Sequence, residues 1–211
     1  MAMNLQTTTR LLLVRHGRTE FNAQGRVQGG GKLDALGQAQ VHALAERLRT
    51  EELAAVYSSP LTRTLQTARA IARNHGLPVR QRRLLRDIDY GVFSGKLFAD
   101  ARVSDPALWR RWRDAPHTVS FPQGESLAVL RGRLERFLNE VKGWQGGRTV
   151  LVATHDSPIR ILCCIAEGLD DSHHHEYVTG VASITTLMLT TDGLRLREHN
   201  DTGHLRGIDD A

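Results

Sequence analysis

The stretch LLLVRHG at residues 11–17 decides how the rest of the chain is read. Four consecutive apolar residues, stopped by Arg15, His16 and Gly17, describe a short strand buried on both faces, since a strand with one wet face alternates instead. Strands of this kind belong to parallel sheets, whose neighbours must be joined by crossover helices. The pattern outward from residue 17 supplies them. A Gly-rich loop at 25–31 leads to Asp34, a predicted N-cap for a helix to about residue 50, with Leu36, Ala39, Val41, Ala43, Leu44 and Leu48 approximating one apolar face. A second strand is predicted over 53–57. Ser59-Pro60 then reads as an N-cap followed by a proline at the first helical position, opening a helix to about Asn74. Residues 79–85 read as a third strand.

Residues 91–122 break this rhythm with Gly91, Gly95, Pro106, Pro116 and Pro122 set among Phe93, Phe98, Trp109 and Trp112. They predict an excursion over the sheet edge and the active site, in which Trp109 and Trp112 form the apolar face of a helix. Beyond it come a helix over 125–141, a buried strand over 149–154 and a helix over 158–167 capped by Ser157 or Asp156. Two strands at 182–190 and 194–198 close the chain around Asp192-Gly193. The expected architecture is α/β, a three-layer α/β/α sandwich with a mostly parallel central sheet, in one domain over residues 1–211.

Of the 211 residues, 40% are hydrophobic and 24% charged, enough apolar surface to fill a core. No apolar run approaches the roughly 20 residues that cross a bilayer, and the opening MAMNLQTTTR has neither the basic nor the apolar part of a leader. The two cysteines, Cys163 and Cys164, are adjacent in an apolar stretch and cannot build a disulfide framework. A cytoplasmic protein is expected. The formal charge is +5, and 25 of the 28 basic residues are arginine, which suits bidentate recognition of phosphate or carboxylate. The clusters Arg80, Arg82, Arg83, Arg86 and Arg110, Arg111, Arg113 are not interleaved with aromatics as a base-stacking groove would be. The expected partner is a small phosphorylated metabolite, with no nucleic acid and no membrane; a homodimer stays open.

Three strand-to-helix junctions carry polar residues that simple turns do not need: Arg15-His16-Gly17, Ser58-Ser59-Pro60 with Arg63, and His155. In an open parallel sheet these junctions share the carboxyl edge, where ligands of α/β folds bind. Helix starts there add free backbone N–H groups and positive dipole ends, which favour an anion and above all phosphate. Gly17 permits close backbone approach, so a carbonyl there can accept Nδ1–H of His16 and leave Nε2 free to attack.

The chain resembles the histidine phosphatase superfamily, which includes the cofactor-dependent phosphoglycerate mutases. The resemblance is carried in order by LLLVRHGRTEFN (11–22), GRVQG (25–29), SSPLTRTLQTA (58–68), LLRDIDYGVFSG (84–95), QGES (123–126), VLVATHDSPIR (150–160) and NDTGHL (200–205). It implies that His16 becomes a phosphohistidine while Arg15, Arg63 and His155 hold the phosphoryl oxygens, with water completing hydrolysis. It further implies contacts to phosphate or substrate from Asn22 and Gln28, and no metal or other cofactor.

Two departures stand out. Arg18 occupies a position where glutamate is common, and Asp87 stands where many members carry the glutamate that protonates the leaving oxygen. Asp87 can do that work if burial or a neighbouring carboxylate raises its pKa. Asp156 is a second candidate, because another branch places its donor directly after the second histidine; its other use is a helix cap. Glu125 is a structural or substrate-orienting group. The expected function is a phosphatase of small phosphomonoesters; the alternatives are a phosphoglycerate mutase and a non-catalytic phosphate-binding relative. Arg18, Arg86 and the 110–113 cluster suggest a second anionic group on the substrate. His173, His174 and His175 invite a metal reading, but consecutive histidines point in different directions, and a solvated loop is expected there.

Overall fold

The computed structural model describes residues 8–27, 30–142 and 147–208. Strand β1 (Thr9–Arg15) is followed by a one-turn helix α1 (Glu20–Ala23) and by α2 (Ala35–Arg47), whose cap is Asp34, its carboxylate accepting from Gly37 N at 2.7 Å. Then come β2 (Leu53–Ser58), α3 (Thr62–Asn74) and β3 (Val79–Gln81). Two further helices, α4 (Phe98–Ser104) and α5 (Pro106–Asp114), lead to α6 (Leu127–Lys142), β4 (Thr149–Thr154) and α7 (Asp156–Glu167). The hairpin of β5 (Ile184–Thr190) and β6 (Gly193–Asp201) ends the sheet. Among the described residues no helix is long and apolar enough to cross a membrane.

The six strands run in the order β3-β2-β4-β1-β5-β6. β1 pairs in parallel with β4, as β4 does with β2 and β2 with β3, while β5 lies antiparallel to β1 and β6 antiparallel to β5. The expected mostly parallel sheet between helical layers is therefore the one observed. Alternation along each strand sorts the core into two halves. Leu11, Leu13, Tyr57, Val150 and Val152 face α6 and α7, whereas Leu12, Val14, Val56, Leu151 and Ala153 face α2 and α3. Burial of one such side chain contributes about 1.5–3 kcal/mol, so a one-residue slip of β1 would exchange both sets at heavy cost.

Several boundaries differ from expectation. α3 starts at Thr62 behind Leu61, which offers no side-chain cap; the Ser59 hydroxyl accepts from Leu61 N at 3.4 Å and also meets a histidine. Neither Asp156 nor Ser157 caps α7: the cap position is His155, and Asp156 is the first helical residue. The expected strand over 79–85 stops at Gln81, and Arg83–Leu85 forms a 3-10 turn. β5 starts at Ile184 because Ala182 has φ of 52°, outside the strand region. The stretch 91–122 is helical in its middle, where Asp105 accepts from Leu108 N at 2.9 Å and Pro106 opens α5. Trp109 and Trp112 are buried there with Phe93 and Phe121, half-buried Tyr90 packing against them, and join the α6 side of the core.

The three histidines are not solvated as a group. They lie in a 3-10 turn, Asp171–Glu176, where His174 is buried against the Trp112 ring and His175 Nε2 bonds to Trp112 O at 2.7 Å.

Candidate active site

The carboxyl ends of β1, β2 and β4 meet at one cleft, as their junctions foretold. Arg15 is the last residue of β1 and His16 follows it, Arg63 lies in the first turn of α3, and His155 follows β4. His16, Arg63 and His155 are all buried, and the two imidazoles meet edge to face with centroids 5.2 Å apart.

His16 is held in one tautomer. Its Nδ1 lies 2.8 Å from the Gly17 carbonyl, which can only accept, so Nδ1 carries the proton and Nε2 a lone pair. The lone pair points at Arg63, whose Nε–H donates to it at 3.0 Å. Burial first, and then the positive charges of Arg63 and Arg15, hold the His16 pKa well below its ordinary value, so the ring is neutral at neutral pH. Gly17 is required here: a Cβ at that position would lie 2.5 Å from Gly37 O, against the first turn of α2.

His155 Nε2 meets Ser59 Oγ at 2.9 Å, which is where the expected helix-capping hydroxyl goes. Its Nδ1 is buried with no hydrogen-bond partner among the described residues and lies 3.9 Å from Asp87 Oδ2. The pKa of His155 is also well below the usual range, through burial and then the positive charge of Arg63. Arg15 donates to the carbonyl of Thr179, and its Nε is likewise buried without a partner among the described residues. With the Ser59 hydroxyl donating to Nε2, the His155 proton sits on Nδ1, and that N–H with Arg15 Nε, beside a buried guanidinium, suits an oxyanion.

Asp87 completes the wall. Its Oδ2 lies 3.7 Å from Arg63 Nη2, and burial pushes its pKa up to about 6, against the opposing pull of Arg63 and with help from the Asp156 charge. It therefore carries a proton over part of its time near neutrality. Asp156 also lines the cleft, but Arg160 Nε donates to it at 2.8 Å and Arg15 lies 3.9 Å away.

The cleft encloses about 110 Å³, the scale of a phosphoryl group with a small substituent, and its outer wall is Phe21, Arg26, Tyr90 and Phe98. Asn22 lines it too, although its Oδ1 accepts from Thr19 N at 3.1 Å and caps α1. Gln28 lies outside the described residues. Arg18 is not brought in: its Nε donates to Asp34 at 2.8 Å. Glu125 is not brought in either, since both of its oxygens accept from Arg133. Arg86 is exposed, and Arg110 and Arg113 line a neighbouring groove beyond Phe98. Arg26, inside GRVQG, is the basic group that the sequence reading missed at the mouth. Ser59 and Tyr90 were missed as well; both lie in stretches already singled out, and only the fold turns them inward.

Comparison with known proteins agrees with this geometry. The family model of the histidine phosphatase superfamily (branch 1) matches residues 11–202. Phosphoserine phosphatase 1 of Hydrogenobacter thermophilus is 36% identical over 198 residues, covering 93% of this chain and 94% of that protein. A bifunctional protein of Mycobacterium tuberculosis is 37% identical over 203 residues; these cover 94% of this chain, which spans 56% of that longer protein. The solved structure of Bacillus stearothermophilus YhfR superposes with a TM-score of 0.89 at 28% identity, over 93% of this chain and 99% of that one. The chain belongs to the histidine phosphatase superfamily, and the resemblance read from residues 11–205 stands.

Proposed function

From that membership, we propose that the protein is a metal-independent phosphatase of small phosphomonoesters that works through a phosphohistidine on His16. The observation that carries this reading is the locked tautomer of His16, a neutral ring with its Nε2 lone pair aimed into a buried, doubly cationic cleft. Nε2 attacks phosphorus as the P–O bond to the leaving group breaks. Arg15, Arg63 and His155 Nδ1 take the three equatorial oxygens, supplying the positive charge that a metal ion would otherwise bring. Asp87 gives its proton to the leaving oxygen and then, as carboxylate, takes one from the water that attacks the phosphohistidine; free phosphate and the original enzyme result. Asp156, paired with Arg160, is left a supporting charge. Asn22 and Gln28 complete the contacts to the substrate. A substrate with a second anionic group suits Arg26 at the mouth, and the Hydrogenobacter relative is named for such a phosphomonoester. The compartment is the cytoplasm.

The test is phosphate release in the presence of a chelator from phosphoserine, both monophosphoglycerates, glycerol phosphate and para-nitrophenyl phosphate, with His16→Ala beside the wild type. Turnover in chelator that the variant loses by about 10⁴-fold or more is expected, because losing a covalent nucleophile leaves only binding and charge stabilisation. Activity that survives His16→Ala overturns the reading, and so does interconversion of the phosphoglycerates without release.

A further inference from the structure

The GES stretch and the buried face of α6 play no direct part in this chemistry, yet they converge on its proton donor. Arg133 lies on the apolar stripe of α6 between Leu130, Leu134 and Phe137, and it is buried. A guanidinium in such a place is tolerated only when its donors are used. Nη1 donates to Leu84 O at 2.7 Å and Arg86 O at 2.5 Å, and Nη2 to Asp87 O at 2.8 Å. Nε and Nη2 together grip the Glu125 carboxylate at 3.0 and 2.9 Å. The same carboxylate accepts from Asp89 N at 3.0 Å, and Asp89 O accepts from Glu125 N at 2.8 Å. The segment from residue 84 to 89 is thus tied at four backbone atoms by one ion pair, with Thr154 Oγ1 adding a bond to Leu85 O at 2.8 Å.

No strand does this work. β3 ends at Gln81, so the chain carrying Asp87 has no ladder to fix it, and among the described residues its side chain accepts one short bond, from Ile88 N at 3.1 Å. Room for a second residue's bulk is absent as well: a Cβ on Gly124 would lie 2.3 Å from Asp89 O, and one on Gly91, at φ of 54°, would lie 1.9 Å from Pro122 O. The QGES turn and the Asp87 segment are built to touch backbone to backbone. Neither Arg133 nor the QGES turn lines the cleft.

We propose that Arg133 and Glu125 are positioning residues for leaving-group protonation: the ion pair fixes the backbone of residues 84–89, and through it the reach of the Asp87 carboxyl toward the leaving oxygen. This inference rests on the reading of Asp87 as the proton donor. A clamp of this kind acts through Asp87 alone. It governs how well a poor leaving group departs, and it leaves the histidine attack and phosphoryl contacts in place, since Arg15, His16, Arg63 and His155 are carried by β1, α3 and the end of β4.

The experiment compares kcat/KM, which reports steps up to leaving-group departure, for phosphoserine (an alkyl ester) and para-nitrophenyl phosphate (an aryl ester). The proteins are wild type, Asp87→Asn, Glu125→Gln, Arg133→Met and Arg133→Lys, each checked for folding by circular dichroism. Misplacement of a reacting group by an ångström costs up to about 10²-fold, so Glu125→Gln and Arg133→Met are expected to lose about 10- to 10²-fold on phosphoserine and less than about threefold on the aryl ester. Arg133→Lys, which keeps the charge and three donors, is expected to recover part of that loss. Should Arg133→Met fail to fold, Glu125→Gln, which conserves volume, decides alone. Equal losses on both esters in the clamp variants, with Asp87→Asn still selective, overturn the clamp and leave the proton donor standing. Equal losses in Asp87→Asn overturn the donor reading, and the clamp with it.

Discussion

The phosphate-facing side of the cleft hangs on strand ends, whereas the side that carries Asp87 hangs on a loop tied by an ion pair from a distant helix. On the first side, sheet hydrogen bonds place the backbone of Arg15 and Thr154, and the side chains that follow need little more than a rotamer. On the second, residues 84–89 have no ladder, and Arg133 substitutes side-chain donors for the missing strand partners. The two constructions also treat charge in opposite ways. Burial and two arginines keep His16 and His155 neutral, while burial keeps Asp87 protonated longer than an exposed aspartate. In the proposed mechanism charge stabilisation therefore falls to the rigid side and proton transfer to the tied loop, so the two functions can be perturbed separately.

The widest separation should come from paired variants. Asp87→Asn is expected to lower kcat/KM for alkyl phosphates by about 10²- to 10⁴-fold and to spare aryl phosphates, whose leaving group needs little protonation. Arg63→Met is expected to lower both by about 10²- to 10³-fold, since in the proposed mechanism it removes a donor to the phosphoryl oxygens. A leaving-group-independent loss in Asp87→Asn, or a selective one in Arg63→Met, would break the division.

A smaller effect sharpens it through pH. The Asp87 pKa is raised to about 6, so the proton is present below that value and lost above it. The ratio of alkyl to aryl kcat/KM should fall as pH rises through about 6, approaching tenfold per unit beyond it. A ratio constant from pH 5 to 8 would remove Asp87 from the proton path.

The smallest effect lies at the rim. Asp105 caps α5, whose Trp109 packs against Phe98 on the outer wall. Asp105→Ala should destabilise the protein by about 1 kcal/mol in urea unfolding, with the alkyl to aryl ratio unchanged. A shifted ratio would mean that the rim, too, sets the position of the acid.

What the sequence could disclose follows the same line. β1, β2 and β4 are legible because buried parallel strands need unbroken apolar runs, and the residues directly after them fall at the cleft by topology alone. Ser59 was legible as polar and misread as a cap, because a serine before proline has the same pattern whether its hydroxyl faces the helix or a histidine. Asp87 was located through the family resemblance, its segment having no periodicity to read. Arg133 left one trace, a charge on the apolar stripe of a helix, which periodicity alone assigns to the solvent. His174 was placed in solvent because nothing local announces that Trp112 will cover it. Contacts between segments far apart in sequence, made by side chains and not by strand pairing, account for each of these misses.

The central position of β1 has a consequence for biosynthesis. Leu11 pairs with Val150 on one side and with Leu187 on the other, so the strand that delivers His16 has no neighbour in the sheet until about 139 further residues have been made. At the ribosome's usual 5–20 residues per second, that is a wait of about 7–28 s with an LLLV segment unpaired. β2 and β3, only some 20 residues apart, can meet long before. The strand bearing the site's first histidine is made ahead of the other five strands and is among the last to find its place in the sheet.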